Sequence, residues 1–231
     1  MKLPMKKTLR EIITRLESHY GRPTPPPISD PLHLILWENI GYLVDDDRRR
    51  TAFEALCKHV GLRATDILSA PTEQLVKVTR LGGIHPELRA QRLKESAQIV
   101  LNDFQGDLHS ALKLPLPQAI KELKKFPSIG DPGAEKILLF TKTYPVLALE
   151  SNGLRVLLRL GFGKENKNYS TSYASVREAL KDQAGEDCDF LIRAHLLLRL
   201  HGRETCKNNN PACTRCPLRD NCRHYEVFYL E

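Results

Sequence analysis

The chain has 231 residues, 41% hydrophobic and 27% charged, enough to bury a core as one large domain or two small ones and too rich in apolar residues for disorder to be the default. Lys and Arg number 35 against 28 Asp and Glu, a formal charge of +7 that favours a polyanionic partner through phosphate neutralisation. No apolar run approaches the roughly 20 residues of a membrane span, and the segment after the basic start Met1 to Lys7 lacks the apolar stretch of a signal peptide, so a cytoplasmic, nucleoid-associated monomer with no membrane contact is expected.

Apolar residues recur at helical spacing almost throughout. Leu9, Ile12, Ile13 and Leu16 predict a first helix, and Pro23 with Pro25, Pro26 and Pro27 predicts a stiff linker behind it. Asp30 and Pro31 read as the N-cap and first residue of a second helix carrying Leu32, Ile35, Leu36 and Ile40. The block Asp45-Asp46-Asp47-Arg48-Arg49-Arg50 reads as a solvated helix junction, its acids at an N-terminus where the macrodipole favours them. Phe53, Leu56 and Val60 continue the pattern, Gly61 ends that helix, and Thr65 opens the next. Cys57 and, later, Cys188 sit within apolar helical patterns and are expected to be buried, reduced thiols.

From Ile120 to Phe140 the sequence reads helix, tight turn, helix, with Asp131 and Pro132 as N-cap and first residue of the second helix. A plain αα-hairpin satisfies this pattern; so does a turn whose free amides, at the positive end of a helix dipole, grip a phosphate without reading sequence. Lys124 and Lys125 add charge beside it. Helical spacing resumes at Leu154, Leu157 and Leu158 and again at Leu191, His195 and Leu198. Near the end, Cys206, Cys213, Cys216 and Cys222 stand at spacings x6, x2 and x5. Four thiols this close favour a metal or an iron-sulfur cluster over two disulfides, and a single CxxC flanked by longer arms favours a 4Fe-4S cube over zinc. With no sustained strand alternation and no repeat, the expected class is all-α with ten or more helices.

Phe126-Pro127-Ser128-Ile129-Gly130 resembles the Leu-Pro-Gly-Val-Gly turn of the helix-hairpin-helix DNA glycosylases, and the cysteine spacing is similar to the C-x6-C-x2-C-x5-C loop of endonuclease III. His201 to Cys206 looks like that family's entry into its cluster, and Ala148-Leu149-Glu150-Ser151-Asn152 resembles the segment holding its catalytic aspartate. The resemblance runs from about Pro31 to Cys222. It implies a two-lobed all-α fold with the target nucleotide flipped between the lobes. A six-helix barrel would span 29–144 with the hairpin at about 118–143, and a cluster domain would combine 1–28 with 145–231, its loop at 206–222. It implies double-stranded DNA containing a damaged or mismatched base as partner, Lys125, Ser128, Ile129 and Gly130 as DNA contacts, and Cys206, Cys213, Cys216 and Cys222 as ligands of a 4Fe-4S cluster.

The departures bear on chemistry. Family members that also cut the backbone carry a nucleophilic lysine where this chain has Pro132. Lys136, one turn on and displaced by about 6 Å of helix rise, is a conceivable substitute. Glu150 stands at the aspartate position and keeps a carboxylate on a stem one methylene longer, able to stabilise an oxocarbenium-like sugar and orient water. The expected reaction is therefore hydrolysis without lyase activity. A catalytically silent DNA-binding protein, with Glu150 merely a helix-start carboxylate, is the alternative. Overlaying the second helix on its family counterpart puts Glu38 where an acid protonates the leaving base, Leu43 near the wedge that fills the stack or in the core, and Asn39 and Tyr42 along the pocket. Ser128, in place of a glycine, and Asp131, a negative charge, both stand close to the proposed phosphate site.

Overall fold

A computed structural model describes residues 8–229. The chain is 66% helical, with no strand among the described residues and no helix there long and apolar enough to cross a membrane. It divides into two compact units, Met1–Pro26 with Pro145–Glu231, and Pro27–Tyr144.

The first unit begins with α1 (Leu9–Tyr20). Thr8 Oγ1 accepts from Glu11 N at 3.3 Å, and the Glu11 carboxylate accepts from Thr8 N at 2.7 Å, a reciprocal cap that pairs two otherwise orphaned amides. The predicted stripe of Leu9, Ile12, Ile13 and Leu16 is buried. The same unit continues with α10 (Ser151–Arg159), α11 (Tyr169–Ala184), α12 (Cys188–Glu204) and α13 (Arg223–Tyr229), with two 3-10 turns at Cys213–Arg215 and Arg219–Asn221. The spine is α12, against which α1 and α10 pack. It buries Phe190, Leu191, Leu197 and Leu198, and its His195 Nδ1 lies 2.7 Å from the Ala148 carbonyl.

The other unit holds α2 (Pro31–Ile40), α3 (Asp46–His59), α4 (Ala64–Ser69), α5 (Thr72–Leu81), α6 (Pro86–Phe104), α7 (His109–Leu112), α8 (Leu116–Leu123) and α9 (Asp131–Phe140). Helix α2 is apolar on nearly every side and is the core of this unit, with α3, α6 and α9 around it. Asp30 accepts from His33 N at 3.0 Å and Pro31 sits in the first turn, as the sequence predicts. Asp45 caps α3 by accepting from Arg48 N at 2.8 Å. Gly61 follows the end of α3 at φ +105, where Gly alone is unstrained.

Several expectations are corrected. Helix α4 starts at Ala64 because Asp66 accepts from Arg63 N at 3.3 Å, so Thr65 lies inside the helix. Arg49 is not part of a solvated junction: its side chain, 16% exposed, turns in toward Glu38 and lies 6.0 Å from the Trp37 ring. Cys57 is exposed and Cys188 only half-buried. The buried face of α3 is Ala52, Phe53 and Leu56, and the next residue points about 100° around the helix. Leu43 is not core, since 77% of it is exposed. Leu36→Ala, at 0% exposure, should destabilise the protein by about 2–5 kcal/mol in urea denaturation, whereas Leu43→Ala should change stability by less than about 0.5 kcal/mol.

Candidate nucleic-acid interface and cysteine cavity

The turn between α8 and α9 is anchored from below. Phe126 is buried and stacks on Phe104 with ring centroids 6.0 Å apart. Asn39, 2% exposed, donates through Nδ2 to the carbonyls of Ile35 and Pro127, both at 3.1 Å, and so bolts α2 to the turn. Ser128 sits at φ +66, the left-handed conformation a glycine would take at no cost. Ile129 differs from expectation: its side chain is buried at 6% exposure and its amide already donates to Phe126 O at 3.2 Å. The amides of Gly130, Asp131 and Gly133, at the start of α9, find no backbone partner among the described residues and form the available anion-facing set.

Charges around the turn are largely internal pairs. Asp131 does not cap α9; the N-cap is Gly130, and the Asp131 carboxylate binds Lys124 Nζ at 2.8 Å, which offsets its negative charge beside the amides. Lys125 Nζ binds Glu122 at 2.7 Å and Asp103 at 3.4 Å, and the Glu122 hydrogen bond, foremost, holds its ammonium above the usual lysine range.

In the same unit, Tyr42 and Leu43 project from the α2–α3 connection at 49% and 77% exposure. Tyr42 N donates to Gly82 O at 2.9 Å, which sets this loop beside the α5–α6 turn. That turn adds Ile84, exposed, and His85, whose ring lies 6.4 Å from Tyr42. The sequence reading missed both; the signal was Gly82-Gly83-Ile84-His85-Pro86, an apolar residue centred in a turn.

Glu150 is the N-cap of α10 and half-buried. Its Oε1 accepts from Gly153 N at 2.7 Å and its Oε2 from Asn152 Nδ2 at 2.8 Å. Arg155 Nη2 donates to Asn152 Oδ1 and to Gly202 O, each at 2.8 Å, while its Nε donates to Cys206 O at 3.0 Å. A hydrogen-bonded chain therefore runs from the carboxylate to the cysteine loop. Gly202 is required for it, because a Cβ there would lie 2.7 Å from Asn152 Cβ.

Cys206, Cys213, Cys216 and Cys222 are free thiols that together line one small cavity, with Val156, Leu160, Ala212 and Leu218 as its apolar wall. Burial pushes the Cys216 thiol up to about 11 and that of Cys222 in the same direction, so these are not poised nucleophiles. Donors nonetheless face the sulfurs: Arg159 Nη1 lies 3.4 Å from Cys206 Sγ, Leu218 N 3.4 Å from Cys216 Sγ, and His201 Nε2 3.6 Å from the same atom. His201, pushed down to about 4 mainly by burial, is held on its other nitrogen by Tyr20 OH at 2.9 Å, and Tyr20 OH meets Thr205 Oγ1 at 2.6 Å. Among the described residues no three His, Cys, Asp or Glu converge as a single-ion site. Four thiols lining one cavity are the donor set that a 4Fe-4S cluster takes.

No protein-family profile matches the chain. Endonuclease III of Sulfolobus acidocaldarius is 29% identical over 176 residues, covering 75% of this chain and 73% of that protein. A solved non-covalent endonuclease III–DNA complex superposes with a TM-score of 0.74 at 19% identity, covering 96% of this chain and 97% of its own. A thermostable thymine-DNA glycosylase superposes with a TM-score of 0.72 at 20% identity, over 95% and 97%. In sequence and in fold the chain is similar to the endonuclease III-like helix-hairpin-helix DNA glycosylases.

The site differs from the sequence resemblance just past the hairpin turn. Pro132 occupies the first turn of α9 and offers no side-chain nucleophile. Lys136, one turn later, is bound to Glu38 Oε1 at 2.6 Å, and Arg49 Nη1 lies 3.8 Å from the same oxygen. Two residues singled out separately in the sequence are thus one ion pair, both largely shielded at 17% and 24% side-chain exposure. For the hairpin itself, Ser128→Gly should raise stability by about 0.5–1 kcal/mol, because relief of the left-handed strain exceeds the added entropy of the unfolded chain; a thermal melt reads it.

Proposed function

We propose that this protein is a monofunctional DNA glycosylase of base excision repair. It hydrolyses the N-glycosidic bond of a damaged or mismatched base extruded from double-stranded DNA and leaves an abasic site. The observation that carries the reading is Glu150. Its carboxylate is kept at the family's catalytic position and its two oxygens are oriented by Gly153 N and Asn152. In the reaction Glu150 orients the attacking water, accepts its proton and stabilises positive charge developing on the sugar. The open amides at the start of α9 hold a phosphate without reading sequence, and Leu43 occupies the gap left by the extruded nucleotide.

Lyase chemistry requires an amine lone pair at the sugar. Pro132 supplies none, and the Lys136 ammonium is engaged by Glu38. Glu38 binds Lys136 and lies near Arg49, and so occupies the amine that a displaced lyase would need. One observation favours a catalytically silent DNA-binding protein instead: both Glu150 oxygens already have partners. Cys206, Cys213, Cys216 and Cys222 would hold a 4Fe-4S cluster, which supplies a covalent cross-link for the loop that carries the Arg155 acceptors.

A panel of duplexes, each bearing one lesion or mismatch, separates these readings. Strand breaks should form only after alkali, and borohydride should trap no covalent adduct; breaks without alkali would restore a lyase, and binding without base release on every duplex would favour the silent protein. Glu150→Gln keeps the cap but loses the charge, and should lower base release at least 100-fold with DNA affinity within about twofold. Cys213→Ser should cost the brown colour and lower the melting temperature, since cluster binding and folding are coupled; a colourless, zinc-loaded wild type would overturn the cofactor assignment.

A further inference from the structure

Arg89 is the bulkiest of the fully buried side chains, at 2% exposure. It rises from the first turns of α6 and spends its guanidinium on backbone. Nε donates to Ile84 O at 2.9 Å, Nη2 to Gly83 O at 2.7 Å, and Nη1 to Ile40 O. Ile40 O is one of the last carbonyls of α2, which have no intrahelical partner; Gly83 and Ile84 lie in the α5–α6 turn. One cation therefore joins two separate loops. Burying a guanidinium is costly, so such an arrangement persists where the three carbonyls must keep a fixed spacing.

What those carbonyls fix is the base of the exposed apolar tip. Tyr42 pairs with Gly83 in an isolated parallel bridge. Gly82 and Gly83 allow the close approach: a Cβ on Gly82 would lie 2.0 Å from Ile40 O, and one on Gly83 2.4 Å from Tyr42 O. Beyond the bridge, Leu43 is held at φ +55, a conformation that costs a non-glycine residue roughly 1–2 kcal/mol, and it stands 77% exposed. A strained, solvent-facing leucine on a rigid base is a side chain ordered before its partner arrives.

We propose that Arg89 is a positioning residue: by tying the carbonyls of Ile40, Gly83 and Ile84 together it pre-orders Leu43 for insertion into a base stack, so its loss weakens filling of the stack far more than it weakens DNA binding. The inference rests on the DNA-glycosylase reading above for the identity of the partner. Overall affinity is carried by phosphate contacts, none of which Arg89 makes. Insertion depends on how much ordering remains to be done when DNA arrives.

The test uses the full-length protein and a duplex carrying 2-aminopurine opposite a tetrahydrofuran abasic analogue, whose fluorescence reports disturbance of the stack, with an undamaged duplex for affinity. Arg89→Met keeps the stem and removes the donors; Arg89→Lys keeps the charge with fewer donors and guards against a misfolded methionine variant. Both should retain affinity for undamaged DNA within about twofold and lose about tenfold in the equilibrium constant for the fluorescence change. In Arg89→Lys the Tyr42 amide should exchange with solvent about tenfold faster while the Leu56 amide is unchanged, a local effect that general destabilisation does not produce. Adding either change to Leu43→Ala should cost nothing more. A full fluorescence response in both Arg89 variants, or additive losses with Leu43→Ala, overturns the role of Arg89 alone. A wild-type chain that binds but leaves 2-aminopurine undisturbed overturns the wedge and the glycosylase reading with it.

Discussion

Helix ends leave backbone amides and carbonyls without partners, and in a protein built from helices these groups are where polar chemistry has to collect. The N-terminus of α9 offers the amides beyond the hairpin turn, and the N-terminus of α10 is closed by Glu150. At C-terminal ends the partners are arginines: Arg89 takes Ile40 O and Arg155 takes Gly202 O, while Arg159 reaches the carbonyls of Lys207 and Asn208 in the loop beyond α12. The guanidinium suits this task because its donors are fixed in one plane and it stays protonated when partly desolvated.

The cysteine loop follows the same logic one level up. A segment with two short 3-10 turns and no long helix cannot satisfy its own backbone, so Arg155 and Arg159 of α10 supply donors, and the proposed cluster would supply the cross-link. Tyr20 and His201 carry this network to α1, so that the N-terminal helix and the loop share one buried polar cluster. Such a network is rigid only when each member is satisfied, so loading of the proposed cluster would be coupled to the packing of this unit.

The chemistry is shaped by what the hairpin lacks. Pro132 offers no nucleophile and makes a well-formed helix start. The nearby amine of Lys136 is drawn into a pair with Glu38, which in turn takes Arg49 out of solvent. On the proposed function, this pattern leaves water as the attacking group and a carboxylate as the residue that directs it.

The sequence by itself determined what depends on local pattern. Helical periodicity, the caps at Asp30 and Asp45, the hairpin and the cysteine spacing all follow from neighbours within a few residues, and the stripe of α1 and the core position of Leu36 were legible in this way. Tertiary structure decided what depends on distant residues. The amide of Ile129 is used within its turn, Asp131 answers Lys124 in place of capping, Cys57 faces solvent, and Glu38 meets Lys136 across 98 positions of sequence. Arg89 is the clearest case. On a helical wheel it shares a face with Leu93, Ala97 and Val100, where a guanidinium would be out of place, and only when the ends of α2 and α5 are brought together do three carbonyls make burying it favourable.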